Sequence, residues 1–183
     1  VERNVISAIV KHWSEEKYMV LKWKKVNWVT FITGGVEAGQ MPEDAARTEI
    51  KEETGYLNLK LVKTLSHSHS KFFHVPKNEN RFGHFTNLYF ELENGEQEET
   101  QQSEKEKHDV VWLSPSEIEK SITPEGQKYD WALLQDKATP VLSGILNEPK
   151  EFAGREVKSI RKEIIEYLEK NKLAERKTTY KLR

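Results

Sequence analysis

Apolar residues in the first two thirds of this 183-residue chain are grouped in short runs rather than in long helical stripes. The runs are rich in β-branched and aromatic residues, the composition typical of buried or half-buried strands. They occupy residues 5–10, 17–23, 28–32, 60–65, 84–92 and 109–113. The pattern therefore predicts a sheet built from about six strands.

A helical pattern interrupts the strands between the third and fourth runs. Ala45, Ala46 and Ile50 give a narrow apolar face that suits packing against a sheet. Pro42 is favourable in a first helical turn, and Gly55 suits the left-handed residue that follows a last turn. We therefore predict a helix that begins near Pro42 and stops at Gly55.

Two further helices follow the last predicted strand. Ser114 and Pro115 have the order of a helix cap and a first-turn proline. An apolar face at helical spacing then predicts a helix from about 155 to 171, marked by Val157, Ile160, Ile164 and Leu168. Strands around one central helix, with another helix after the last strand, predict an α/β sandwich.

Three carboxylates share one face of the first helix. Glu49, Glu52 and Glu53 have the spacing i, i+3, i+4, which places their side chains together. Like charges so close are unfavourable unless a cation lies between them, and ligands that offer only oxygen favour Mg²⁺ or Mn²⁺. The alternative interpretation is a solvated acidic helix face.

Residues 34–56 resemble the Nudix box, the signature of MutT-like pyrophosphohydrolases. That motif runs glycine, five residues, glutamate, seven residues, then Arg-Glu-apolar-x-Glu-Glu-x-Gly-apolar. The matching positions are Gly34, Glu49, Ile50, Glu52, Glu53, Gly55 and Tyr56. Gln40 replaces the first glutamate and Thr48 replaces the arginine. Since those two groups have opposite charge, their joint loss leaves no orphan charge; Arg47, about 100° away on the helix, is a poor substitute.

The resemblance implies a Nudix-like α/β/α sandwich with a mixed sheet. It also implies a pyrophosphohydrolase that cleaves a nucleoside diphosphate linked to another group. Mg²⁺ or Mn²⁺ would be held by Glu49, Glu52 and Glu53, with the carbonyl of Gly35. Glu52 or Glu53 would act as ligand or general base, and their close spacing makes them titrate as a coupled set.

The segment from Ser66 to His84 is rich in histidine and aromatic residues. One interpretation is a substrate loop, in which Phe73 stacks on a base and Lys71 or Arg81 contacts a phosphate. Another is an irregular strand pair whose aromatic residues belong to the core. A zinc site is disfavoured because the histidine spacings are atypical and the chain has no cysteine.

The charge is unevenly distributed, although the net charge is only −1. Residues 91–109 carry eight acids against two lysines, which suggests a solvated hairpin turning at Asn94 and Gly95. Glu104 or Glu106 from this region is a candidate extra base or ligand, as in some Nudix relatives. Residues 155–183 carry ten basic residues against five glutamates, a composition that fits contact with nucleic-acid phosphates.

The C-terminal third resembles the exit from the editing insertion of a bacterial leucyl-tRNA synthetase. The resemblance rests on four ordered motifs at residues 144–147, 151–154, 164–169 and 180–183. It implies a Nudix-like domain at 1–128 lodged in a synthetase, with 129–183 as a connector to the absent catalytic core. The signatures for aminoacylation and editing are missing, so this stretch alone should neither charge nor deacylate tRNA.

Two functions of different class follow from these observations. The first is a Mg²⁺- or Mn²⁺-dependent hydrolase of a nucleotide-type small molecule. The second is a relaxed metal-binding module that helps position tRNA, possible because Gln40 and Thr48 depart from the motif. Absence of cysteine, of a signal peptide and of an apolar run near 20 residues favours a cytoplasmic protein in either case.

Overall fold

The computed structural model describes residues 1–74 and 77–137, together with Lys170. Their elements are β1 Glu2–Lys11, β2 Tyr18–Trp23, β3 Val29–Thr30, β4 Ile32–Gly35, α1 Pro42–Thr54, β5 Leu59–His74, β6 Glu79–Leu92, α2 Gln102–Lys107, β7 His108–Leu113, α3 Pro115–Ser121 and α4 Glu125–Leu134. The described residues up to Lys137 belong to one compact unit. Apart from Lys170, the helix predicted at 155–171 and the basic tail lie outside the described residues. No helix in the described part is long and apolar enough to cross a membrane.

The strands form one mixed sheet in the order β3-β2-β1-β6-β5. β4 also pairs with β1, and β7 pairs with β2. β1 and β6 run parallel through ten paired positions, whereas the other pairs are antiparallel. Helices cover the sheet, so the predicted α/β sandwich with a mixed sheet is confirmed.

Alternate residues of the central strands feed two apolar layers. Ile6, Ala8 and Val10 of β1 lie in the layer that also contains the buried face of α1. Ile9 points to the opposite layer, where Trp131 of α4 packs edge-on against Tyr18 at 4.8 Å between ring centroids. The period of two in β1 thus produces a core on each side of the sheet. Trp131, which the sequence interpretation assigned to the C-terminal connector, belongs to this core.

The ends of α1 confirm the interpretation of Pro42 and Gly55. Pro42 occupies the first turn, and Gly55 follows the helix with φ of +81° while its N–H donates to the carbonyl of Lys51 at 2.8 Å. A Cβ at Gly55 would lie 2.2 Å from the carbonyl oxygen of Glu98. Glycine is therefore required here by both backbone conformation and space.

Gly34 and Gly35 are the last residues of β4, and the chain turns after them, where Gly39 has φ of +82°. One local prediction was wrong. The acidic region after residue 91 is not a hairpin at Asn94 and Gly95, because it crosses to the end of α1. There the N–H of Glu98 donates to the carbonyl of Gly55 at 2.9 Å. The segment that makes this contact leads into α2, which lies beside the C-terminal end of α1.

A buried polar network joins α4 to the long β5–β6 hairpin. Ser66 donates from its hydroxyl to Asp130 at 2.7 Å, and Asn87 donates from its side-chain amide to Ser66 at 2.7 Å. Asp130 is 4% exposed. Burial raises the pKa of the Asp130 carboxyl from 3.8 to about 6, although the Ser66 hydrogen bond opposes that change.

We expect the Asp130→Asn variant to lose part of the pH dependence of stability. Since the folded pKa of Asp130 lies above the unfolded value, the stabilisation is complete below about pH 4 and is lost as pH rises through 6. Between pH 4 and 7 the free energy of unfolding of the wild type should fall by on the order of 2 kcal/mol relative to the variant. Urea unfolding at both pH values measures this. The exposed residue Asp136, as Asp136→Asn, is the control, and equal pH slopes for wild type and Asp130→Asn would contradict the interpretation.

Candidate metal and catalytic site

Gly34 is a glycine because the side chain of Glu49 lies against it. A Cβ at Gly34 would meet the Cδ, Cγ and Oε1 atoms of Glu49 at 2.0, 2.1 and 2.2 Å. The neighbouring Gly35 donates its backbone N–H to the Glu49 carboxylate, and a Cβ there would meet nothing within 4 Å. The end of β4 therefore holds the Glu49 carboxylate in position from two consecutive residues.

Glu49 has an environment that disfavours a lone negative charge. Burial raises the pKa of its carboxyl, and the nearby charges of Glu52 and Glu104 raise it further. The hydrogen bond from Gly35 only partly offsets these effects. Such a group gains from a cation placed among the carboxylates.

Glu53 is more strongly perturbed. Burial, followed by the charges of Glu49 and Glu104, raises the pKa of its carboxyl from 4.5 to about 8. Its Oε2 atom is buried and has no hydrogen-bond partner among the described residues. Glu52, one position earlier, is exposed on the same helix. The three carboxylates of the motif thus differ in environment: Glu52 is exposed, Glu49 and Glu53 are half-buried, and the pKa of Glu53 is the most strongly raised.

α2 adds a fourth carboxylate that sequence reasoning had named as a candidate. Ligand atoms of Glu53, Glu104 and His108 all lie within 4.8 Å of one another. Lys107 donates to Glu104 at 2.6 Å and balances part of the local charge. The other candidate, Glu106, is exposed and accepts from Gln102 at 3.4 Å, so the structure brings Glu104 and not Glu106 to the site.

His108 is the member of the site that sequence reasoning missed. It is 3% exposed, and neither ring nitrogen has a hydrogen-bond partner in the described part of the chain. Its Nε2 atom lies 3.7 Å from Glu104, and burial lowers the pKa of the imidazole. The available signal was its position four residues after Glu104, at the first position of β7.

A divalent cation fits this arrangement. Glu49 and Glu53 lie close together with raised carboxyl pKa values, the buried Oε2 atom of Glu53 lacks a hydrogen-bond partner among the described residues, and Lys107 pairs with Glu104. Oxygen donors of this kind suit Mg²⁺ or Mn²⁺. Glu49, Glu52 and Glu53 are the residues that would hold it, with Glu104 at their side.

The two residues that depart from the motif, Gln40 and Thr48, form local hydrogen bonds and do not pair with each other. Gln40 accepts from the N–H of Glu37 at 3.0 Å, and Thr48 donates its hydroxyl to the carbonyl of Asp44 at 2.9 Å. Arg47 donates to the carbonyl of Leu59 at 2.6 Å. This hydrogen bond holds the Arg47 side chain on the side of α1 that faces β5, which agrees with the interpretation of Arg47 as a poor substitute for the missing arginine.

The residues predicted to contact substrate lie on the long β5–β6 hairpin. Lys71 packs over the ring of Phe82 at 5.5 Å, and Arg81 pairs with Glu79 at 2.7 Å. Gly35 of β4 and Phe85 of β6 both pair with Val5 of β1, so they lie at the same level of the sheet. Arg81 lies four residues before Phe85, about 13 Å away along β6. The side chain of Phe73 lies outside the described side chains.

The histidine-rich segment does not offer a zinc site comparable to the carboxylate cluster. His69 and His84 contact each other through their Nδ1 atoms at 2.5 Å, and His84 contacts Glu2 through Nε2 at 2.5 Å. Within the described ranges, the one set of three metal-binding side chains with converging ligand atoms is the cluster around Glu53. The segment itself belongs to the β5–β6 strand pair, whose two register shifts lie just before it, between Leu61 and Ser66, and its Phe82 lies in neither apolar layer.

Comparisons with known proteins agree with this geometry. The model of the NUDIX domain matches residues 6–134. A NUDIX hydrolase structure from Listeria monocytogenes is 18% identical, with a TM-score of 0.59 over 73% of this chain and 92% of that one. No curated protein matches the sequence significantly.

Two other similar structures carry specific activities in their names. The Escherichia coli dihydroneopterin triphosphate pyrophosphohydrolase is 15% identical, with a TM-score of 0.56 over 75% of this chain and 99% of that one. A Caenorhabditis elegans Ap4A hydrolase is 14% identical, with a TM-score of 0.56 over 73% and 96%. At these identities the likeness establishes the fold alone. The Gly34–Glu49 contact accounts for the glycine at the first position of the motif. Because the family model covers more than half of the chain, the chain belongs to the Nudix family.

Proposed function

We propose that this chain is a divalent-metal-dependent pyrophosphohydrolase acting on a nucleoside diphosphate derivative. The observation that carries the proposal is the Glu53 carboxyl, whose Oε2 atom is buried without a hydrogen-bond partner among the described residues and whose pKa is raised to about 8 by burial and by three neighbouring carboxylates. Perturbed carboxyl groups that converge in this way are typical of functional sites. The Nudix family supports a hydrolase.

The chain supplies ligands, a base and local charge balance. Glu49, Glu52 and Glu53 would hold the cation with the Gly35 carbonyl, and a bound cation polarises phosphoryl oxygens and lowers the pKa of coordinated water. Glu53 suits the role of general base because its buried Oε2 atom has no hydrogen-bond partner among the described residues and lies beside the other carboxylates of the cluster. The exposed Glu52 lacks that environment. Lys107 limits the repulsion that Glu104 adds.

The proposed substrate class follows from the chemistry of the site and agrees with the similar structures. The names of two of those proteins specify dihydroneopterin triphosphate and Ap4A, both of which contain a phosphoanhydride linkage. Lys71, Phe73 and Arg81 are the proposed contacts to base and phosphate. Lys71 and the preceding Ser70 are exposed, so a ligand can reach them from solvent.

A substrate screen tests the proposed function. Nucleoside diphosphate derivatives, diadenosine polyphosphates and an aminoacyl-adenylate are incubated with Mg²⁺ or Mn²⁺, and phosphate-containing products are separated by chromatography. We expect cleavage of a phosphoanhydride bond that EDTA abolishes. Cleavage that survives EDTA, or no turnover of any compound, would contradict the proposal.

The second candidate function is a metal-binding module of a leucyl-tRNA synthetase. The four motifs between residues 144 and 183 support it, as does the replacement of two Nudix-box positions by Gln40 and Thr48. A cytoplasmic location would follow from that parent. Cation binding without turnover, together with salt-sensitive tRNA binding that is lost on truncation at Asn147, would favour this function over the hydrolase.

A further inference from the structure

We propose that His108 is a metal ligand that, with Glu53 and Glu104, forms a second cation position selective for Zn²⁺, Co²⁺ or Mn²⁺ over Mg²⁺. This inference deepens the proposed function and rests on the carboxylate site of that function. The new position shares Glu53 with the three-carboxylate set on α1. It differs from that set in containing a nitrogen donor.

The burial of His108 is the first argument. An imidazole that is 3% exposed normally has a hydrogen-bond partner on at least one nitrogen, because an unpaired buried polar group costs about 1–3 kcal/mol. Both nitrogens of His108 lack one among the described residues. A lone pair directed at a cation would satisfy one of them.

The convergence of ligand atoms is the second argument. Glu53, Glu104 and His108 each offer one atom, and these lie within 4.8 Å of one another. Ligands about 2.0–2.2 Å from a shared zinc ion are separated by about 3–4 Å in a tetrahedral site, so small side-chain movements would complete it. The unpartnered Oε2 of Glu53 is a second buried donor in the same cluster.

The donor set determines the expected selectivity. Mg²⁺ prefers oxygen ligands and retains its waters, whereas imidazole raises affinity for the later first-row metals. Two carboxylates and one imidazole leave one coordination position open, as in catalytic zinc sites. The three α1 carboxylates lack this nitrogen, so the two positions should differ in metal preference.

The first experiment uses the wild-type chain labelled with ¹⁵N-histidine. Long-range ¹H–¹⁵N spectra are recorded with ZnCl₂ and with MgCl₂, and the His108 signals are assigned by comparison with His108→Gln. We expect Zn²⁺ to shift a ring nitrogen of His108 while Mg²⁺ does not. Zn²⁺ shifts confined to His69 or His84 would overturn the proposal, because those residues form a separate histidine pair.

The second experiment measures Zn²⁺, Mn²⁺ and Mg²⁺ affinity by calorimetry. His108→Gln and Glu104→Gln should each lose at least about tenfold in Zn²⁺ affinity, with a change in Mg²⁺ affinity below about threefold. Glu104→Gln keeps the test valid if His108→Gln fails to fold. His12→Gln, which removes a histidine outside the cluster, is the control. Equal losses for all metals would overturn the inference but leave the hydrolase proposal intact, whereas absence of any metal binding would reject both.

Discussion

Glu53→Gln is expected to abolish hydrolysis while it stabilises the metal-free protein. The amide keeps the size of the carboxyl but accepts no proton and binds a cation weakly. Loss of a general base costs about 10²–10⁴-fold in rate, and loss of a metal ligand adds to it. We therefore expect a fall in kcat of at least about 10³-fold in the steady-state assay with the best substrate from the screen.

The stability change has the opposite sign. The folded pKa of Glu53 is raised from 4.5 to about 8, so its stabilisation of the fold is complete below about pH 4.5 and is lost as pH rises through 8. The Glu53→Gln variant has no carboxyl to ionise at this position, so its stability does not fall with pH in this way. At pH 8.5 without metal, the variant should unfold with a free energy higher by on the order of 1 to 2 kcal/mol.

Metal titration and a matched variant complete this test. A cation at 100 times its Kd should stabilise the wild type by about 2.7 kcal/mol and the variant by much less. Glu52→Gln removes a charge from the same helix at an exposed position and should leave metal-free stability nearly unchanged. An active Glu53→Gln protein would contradict the catalytic role of Glu53. A Glu53→Gln protein that is less stable than wild type at pH 8.5 without metal would contradict the destabilising effect of its charge.

Gly34→Ala is expected to remove activity with only a modest effect on folding. The new Cβ would occupy space held by the Glu49 side chain, since its nearest contact would be 2.0 Å from Cδ. Glu49 is flexible and can turn aside, which limits the stability cost to about 1–3 kcal/mol. Its carboxylate then leaves the hydrogen bond from Gly35, and we expect metal affinity to fall by about tenfold or more.

Gly35→Ala is a closely matched control. It adds the same methyl group one residue later, where nothing lies within 4 Å, and should retain most activity. A double-mutant cycle with Glu49→Ala isolates the steric contact, because Gly34→Ala should cost little stability once Glu49 is shortened. Equal stability costs with and without Glu49 would mean that Gly34 is required for another reason.

The ends of α1 and its carboxylates were predictable because they depend on short-range chemistry. Proline at the first turn, glycine at the left-handed cap and the i, i+3, i+4 spacing act within a few residues. The strands of β1 and β7 were predictable for the same reason, since their apolar composition is local. The hairpin prediction was wrong because Asn94 and Gly95 are a dipeptide that favours tight turns. The chain after them instead forms a hydrogen bond from Glu98 to Gly55, a residue distant in the sequence.

Residue spacing alone thus determined the helix and its three carboxylates, and the resemblance of residues 34–56 to the Nudix box indicated the family. Tertiary structure decided which carboxylate is most strongly perturbed, because the exposure of Glu52 and the partial burial of Glu53 depend on what packs against α1. It also selected Glu104 over Glu106 and added His108, since the crossing after residue 92 places α2 and the start of β7 beside Glu53. Contacts between residues about 50 positions apart depend on chain path and packing, which a local pattern of residues does not encode.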